Sequence, residues 1–261
     1  MSAAISDVIN LAMCPIGDSV FQDECARTLS DDGVLVLPQF LLPEAVAVVR
    51  EEAEKHQHLA YYTSDDHNIY LTPADPAYAV SHVRNRLVSS SKGCITDDQI
   101  PQTSALRRMY DSTEFRAFLS AVLDEAELHA YADPLSSINV HYASDGQELG
   151  WHFDNSSFAI TLMIQKPDAG GEFEYVRDVR NADAGEMNFE ESAKVLDDET
   201  KTHTLSMEPG TLVMFRGRNS MHRVTPVIGA RTRMLVVFAY NTKPDVSLSE
   251  SARLTFFGRV G

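Results

Sequence analysis

From Pro134 onward the chain breaks into short apolar runs of strand length, each rich in β-branched and aromatic residues and bounded by turn residues. They are Ile138–Tyr142, Phe158–Gln165, Gly171–Tyr175, Thr202–Met207, Thr211–Phe215 and Thr232–Tyr240. Gly170-Gly171 ahead of Glu172-Phe173 supplies the tight return turn of a hairpin, and Pro209-Gly210 sets up the strand from Thr211. Together with an earlier strand at Val34–Leu37, these runs read as a mainly β protein with flanking helices. The architecture expected is a double-stranded β-helix, or jelly roll.

Ahead of this core the pattern is mostly helical. Pro43 opens a helix through about His56, with Val46, Val49 and Ala53 at helical spacing. A second helical pair covers about Ser104–Tyr110 and Thr113–Leu123, the latter with Phe115, Phe118, Leu119 and Val122 in one stripe. Both are expected to buttress the sheet. Residues 60–80 show no period and read as a long loop. Residues 177–201 interrupt the strands with an acidic, partly helical insertion, whose role the sequence leaves open. The expectation is one domain over 1–261, with a helical N-terminal buttress over 1–130, the jelly-roll core over 131–245 and a C-terminal tail over 246–261.

Charge narrows the partners. Asp and Glu outnumber Lys and Arg 38 to 22, and the net charge is -16 without a dense basic cluster. A nucleic acid or an anionic membrane calls for a positive face, so neither is expected as a partner. The longest apolar runs are strand-sized and too short to cross a bilayer. The N-terminus lacks a basic and long apolar leader, and Cys14, Cys25 and Cys94 have no metal-ligand or disulfide-framework spacing. A reducing cytoplasm is expected, with a small-molecule substrate and a monomeric or homodimeric state.

One short stretch carries the chemistry. In Trp151-His152-Phe153-Asp154 the His and the Asp are two apart, so on an extended segment they point to the same side. A lone strand histidine is more often a surface or hydrogen-bonded core residue, and a bare His-x-Asp is a weak signal. His222 comes from a distant strand behind the rigid Thr211–Phe215 element and completes two imidazoles and one carboxylate. That set leaves three positions open on a non-haem Fe(II). Arg231 in Gly229-Ala230-Arg231 opens the last apolar strand, where a guanidinium can make a two-pronged bond to a carboxylate.

This constellation resembles the Fe(II)/2-oxoglutarate-dependent dioxygenase superfamily, in its prolyl-hydroxylase-like branch, over about residues 130–243. The resemblance implies that His152, Asp154 and His222 hold Fe(II) and that Arg231 grips the distal carboxylate of 2-oxoglutarate. Tyr142 stands where the family often places a tyrosine near the cosubstrate. Arg233, two residues on, replaces a small hydroxyl residue and is the alternative anchor. O2 is the further cosubstrate, with ascorbate as a reductant.

Tyr131-Ala132-Asp133-Pro134, Gly150–Asp154, Thr161–Gln165 and Gly170–Tyr175 are further similar to a group that hydroxylates or halogenates free amino acids. Halogenating members carry a small residue in place of the carboxylate ligand. This chain keeps Asp154, which implies hydroxylation. The expected reaction is hydroxylation of an unactivated C–H of a small polar metabolite, foremost a free amino acid or derivative, with release of succinate and CO2. Arg84 and Arg86 are candidates for clamping a substrate carboxylate, and Asn155 for donating to substrate. The rival readings are a peptidyl, prolyl-type hydroxylase and a non-catalytic jelly-roll protein that binds a metal or ligand.

Overall fold

The computed structural model describes residues 4–261. In chain order its helices are α1 Ser19–Asp32, α2 Pro43–His56, α3 Ala105–Asp111, α4 Thr113–Leu123, α5 Phe189–Leu196 and α6 Glu250–Phe257. Its strands are β1 Val34–Leu37, β2 Tyr61–Asn68, β3 Leu87–Ile95, β4 Ile138–Ala143, β5 Leu149–His152, β6 Ala159–Gln165, β7 Ala169–Gly170, β8 Phe173–Val176, β9 His203–Leu205, β10 Leu212–Phe215, β11 Met221–Val224, β12 Val227–Ile228 and β13 Arg233–Phe238.

Among the described residues eleven strands form one curled antiparallel sheet in the order β1-β10-β6-β13-β4-β3-β5-β11-β8-β9, with β2 paired to β3. The short β7 and β12 pair separately. This is the expected jelly roll: β3 passes from β4 to β5 and so joins a large sheet to a smaller one across a shared interior.

Alternation along the strands decides what faces that interior. On β13, Met234, Val236 and Phe238 are buried against the helices, while Arg233, Leu235 and Val237 line the cavity. Helix α4 buries Phe115, Phe118, Leu119 and Val122 on the same outer face. Each such side chain contributes roughly 1.5–3 kcal/mol. Pro43 stands at the first turn of α2, where the missing N–H would be unpaired in any case. Helix α1 starts at Asp18, whose carboxylate accepts from the Val20 and Phe21 amides, and it ends at Gly33 with φ +70°.

The N-terminal part differs from expectation. The stretch read as a loop contains β2, which pairs with β3 from Tyr61↔Cys94 to Asn68↔Leu87. Strand β2 is an edge strand with Asp65 and Asp66 exposed, so neither of its faces writes an apolar alternation into the sequence. Helix α1 and, within the C-terminal tail, helix α6 were also not evident from periodicity.

The acidic insertion builds a second small core instead of an excursion. Phe189 and Val195 from it join Tyr70, Val83, Trp151, Phe153 and Met221. Tyr70 stacks on Phe153 at 5.6 Å and meets the edge of Phe189 at 5.8 Å. Insertion and β2–β3 connection thus cover the outer face of the β5–β11 pair.

Candidate metal centre and its cavity

His152 ends β5 and lies directly across from His222 on β11. Asp154 lies two residues beyond β5, after Phe153, whose amide donates to the Ile69 carbonyl at 2.9 Å. Phe153 is fully buried on the opposite side, so the two flanking side chains turn inward. The Asp154 amide donates to the Gly217 carbonyl at 3.1 Å, which ties this turn to the loop ahead of β11.

The three side chains meet. Asp154 Oδ1 lies 3.5 Å from His222 Nε2 and 3.9 Å from His152 Nε2, and the three ligand atoms fall within 4.8 Å of one another. His152 Nδ1 donates to the Gly150 carbonyl at 2.8 Å and His222 Nδ1 to the Ser220 carbonyl at 3.0 Å. A carbonyl only accepts, so the proton sits on Nδ1 and each Nε2 lone pair is free for a metal. Burial works against the charge on Asp154, yet the His222 and His152 imidazoles hold its carboxyl below the usual range. Burial, and then the neighbouring His222, hold the His152 imidazole below its ordinary range. Asp154 Oδ2 is buried without a hydrogen-bond partner. A buried carboxylate with Oδ1 beside two imidazole Nε2 atoms and Oδ2 left unpartnered is a donor set that fits a divalent cation.

Gly217 makes room for this carboxylate. A Cβ at 217 would overlap Asp154 Oδ2, lie 2.7 Å from its Cγ and 3.0 Å from His222 Cε1. The requirement is space and not backbone strain, since Gly217 is absent from the positive-φ residues.

The triad opens onto a cavity of about 290 Å³, at the small end of ligand sites. Leu235, Val237, Val213 and Phe215 form its apolar wall, and Lys92, His141 and Arg233 bring nitrogen into it. Arg233 is buried, donates from Nε to the Gly171 carbonyl at 3.0 Å, and leaves Nη2 without a partner. Burial pushes its guanidinium down to about 10, with Glu172 opposing, so it stays charged at neutral pH.

Arg231 is not brought to the metal site. It precedes β13, is exposed, and pairs with Asp168, its amide donating to Oδ2 at 3.1 Å and its Nη2 lying 3.3 Å from Oδ1. It lines a surface cleft beside α2 with Val46 and Arg50.

Tyr142 also faces elsewhere. Its hydroxyl donates to the Ala53 carbonyl of α2 at 2.8 Å, within the helix-side core. The neighbouring His141 looks into the cavity. Burial first, then the Lys92 and Arg233 cations, hold its imidazole well below the ordinary value.

The substrate candidates lie in the covering layer. Arg84 donates from Nη2 to the Pro73 carbonyl at 3.1 Å, sits 5.7 Å from the Tyr70 ring centre, and has Nη1 buried without a partner. Arg86 is held by Asp197 and by the Leu196 carbonyl at 3.2 Å, a tie between the β2–β3 connection and the insertion. Asn155 is exposed, and its carbonyl accepts from Arg218 Nη1 at 3.0 Å.

Sequence reasoning missed Arg180, from the insertion. It lies 4.1 Å from the Phe153 ring centre, donates to the Arg218 carbonyl at 2.8 Å and reaches the Asp154 carbonyl at 3.5 Å. Lys92 and Gly217 were missed as well. Lys92 stood in a strand not recognised as one, and a single Gly carries no signal of what it makes room for.

Residues 18–255 match the family described as HalD, Halogenase D. No curated protein matches the chain. Among solved structures, the chain is similar to the non-heme alpha ketoglutarate dependent epimerase SnoN from nogalamycin biosynthesis, at TM-score 0.59 and 12% identity, covering 85% of this chain and 81% of that one. A 2OG-Fe(II) oxygenase family oxidoreductase from Burkholderia pseudomallei aligns at TM-score 0.54 and 13% identity, over 87% and 93%. A prolyl-4-hydroxylase from Pseudomonas putida aligns at TM-score 0.51 and 13% identity, over 83% and 96%. At such identities the likeness establishes the fold.

Proposed function

This chain belongs to the halogenase D family, and from its His152, Asp154 and His222 site we propose that it is an iron(II)- and 2-oxoglutarate-dependent hydroxylase. Its substrate is a small polar metabolite, foremost a free amino acid or a close derivative. The observation that carries the reading is the Asp154 carboxylate, seated 3.5 Å from His222 Nε2 in space that Gly217 leaves open. A halogenating relative needs a small residue there.

When bound, iron(II) with 2-oxoglutarate and O2 supplies the oxidising chemistry and converts the cosubstrate to succinate and CO2. The chain's own part is to place and to exclude. The Gly150 and Ser220 carbonyls fix both imidazoles with Nε2 inward. Asp154 supplies the negative ligand. Arg233, with its free Nη2, anchors the distal carboxylate of 2-oxoglutarate in place of Arg231. Leu235, Val237, Val213 and Phe215 keep bulk water from the reacting end. Arg84, with a free Nη1, is the better candidate for a substrate carboxylate, since Arg86 is engaged by Asp197. A cavity of about 290 Å³ favours a metabolite over a peptide segment.

Halogenation is the second reading, favoured by the family's description. Anaerobic titration of the protein loaded with Fe(II) and 2-oxoglutarate against a metabolite library separates the two. The expected result is a shift of the metal-to-ligand charge-transfer band with one free amino acid or derivative, unchanged by chloride and absent with prolyl peptides. A shift that requires chloride would support halogenation, and the absence of any band would remove both readings.

A further inference from the structure

Arg180 is a buried cation that the proposed reaction leaves without a part. It comes from the acidic insertion, yet no ion pair of Arg180 is found among the described residues. The insertion's Asp183 is taken by Arg218, whose Nη2 lies 2.9 Å from its Oδ1. Burying a guanidinium costs stability unless its donors are met. Here they are met by the backbone that carries the metal ligands.

Three contacts converge there. The guanidinium carbon lies 4.1 Å from the centre of the Phe153 ring, the side chain between the two inward ligands. Nη2 reaches the Asp154 carbonyl at 3.5 Å, and Nε donates to the Arg218 carbonyl at 2.8 Å. The first two contacts belong to the turn that carries Asp154. The third belongs to the loop that carries Gly217 and leads into β11 and His222. One planar group with its donors in a fixed fork thus spans both segments. The same loop places Arg180 itself: its amide donates to the Asn219 carbonyl at 3.3 Å, and the Ala182 amide donates to Asn219 Oδ1 at 2.9 Å.

Asp154 needs such a brace. It lies beyond the end of β5, so no bond of that strand's ladder fixes it. Its Oδ2 has no hydrogen-bond partner that would orient the carboxylate. The backbone therefore sets where the carboxylate sits. Its amide is tied to the Gly217 carbonyl, and Arg180 meets the carbonyl on the other side of the residue.

We propose that Arg180 is the positioning residue of the carboxylate ligand, pinning the Asp154 turn to the Gly217 loop and so presetting Asp154 for the metal. This rests on the reading of His152, Asp154 and His222 as a metal centre. It gives the insertion a direct mechanical link to that centre.

The test is anaerobic titration with Co(II), which stands in for Fe(II) and reports its ligands through visible absorption bands. Arg180→Met keeps an apolar stem over Phe153 and removes every donor. It is expected to weaken Co(II) binding about tenfold or more, the loss that follows when a group orienting a metal ligand is removed. Its bands should shift toward those of Asp154→Ala. Arg180→Lys keeps a cation at the ring and one donor for one carbonyl, so it should fold as the wild type and show the same shift at smaller size. In an Asp154→Ala background, Arg180→Met should cost nothing further. Phe189→Leu loosens the packing of the insertion but leaves the Arg180 contacts in place. It should lower the thermal midpoint and keep wild-type Co(II) affinity and bands.

Unchanged Co(II) affinity in both Arg180 variants, an equal loss in the Asp154→Ala background, or an equal loss in Phe189→Leu overturns the assignment and leaves the metal centre standing. A wild-type protein that takes up no Co(II) overturns the metal centre as well.

Discussion

At the residue scale two atoms compete for one space, Asp154 Oδ2 and the Cβ that Gly217 lacks. Gly217→Ala should therefore damage metal binding chiefly through Asp154. In a double-mutant cycle, Gly217→Ala in the wild-type background should lower Fe(II) affinity by about tenfold or more. In an Asp154→Ala background the same change should have no further effect, because the methyl then enters space already vacated. Additive losses would show that Gly217 acts on the loop and not on the carboxylate. The triad itself was legible, because period 2 in a strand and the ligand chemistry of His and Asp leave few alternatives. The choice between Arg231 and Arg233 was not. Both have the same parity, and only the point at which β13 begins, at Arg233, places one inside and leaves the other on the turn. The inversion at β4 was readable in principle: Ile138, Val140 and Tyr142 form its apolar face, which the helices cover, and Asn139 and His141 form the other.

At the element scale the second core explains how a polar, acidic insertion serves the site. The insertion meets the β2–β3 connection through Tyr70, whose hydroxyl donates to Ser192 Oγ at 3.3 Å, and through the stack on Phe153 between the two inward ligands. Tyr70→Ala removes a buried aromatic from this layer alone, at a cost of about 3–5 kcal/mol if the layer unfolds with the domain. Amide exchange followed by mass spectrometry should then speed up over 177–201 and 69–86 before it does in α2–α4. Uniform acceleration across the chain would contradict the separate core. The jelly roll was legible from 134 onward because its strands bury at least one face. Strand β2 was not, since it lies at an edge with Asp65 and Asp66 exposed, and its identity comes from β3 rather than from its own composition.

At the scale of the whole molecule, a chain of net charge -16 still brings the buried, partly unpartnered guanidinium of Arg233 into the cavity. Lys92 and Arg233 line it, and Arg84 lies in the covering layer, while Lys166, Arg218 and Arg259 make their ion pairs at the surface. An anionic cosubstrate drawn into an otherwise acidic protein needs such a gradient. The family and the ligand set pull apart on one point only: the family is described by halogenation, and the site carries a carboxylate where that chemistry wants a vacancy. Mass spectrometry of the products decides it most directly. With Fe(II), 2-oxoglutarate, O2, chloride and a panel of free amino acids, the expected products are succinate together with one amino acid that has gained a single oxygen and no chlorine. A chlorinated product, or no succinate with any member of the panel, would contradict hydroxylation.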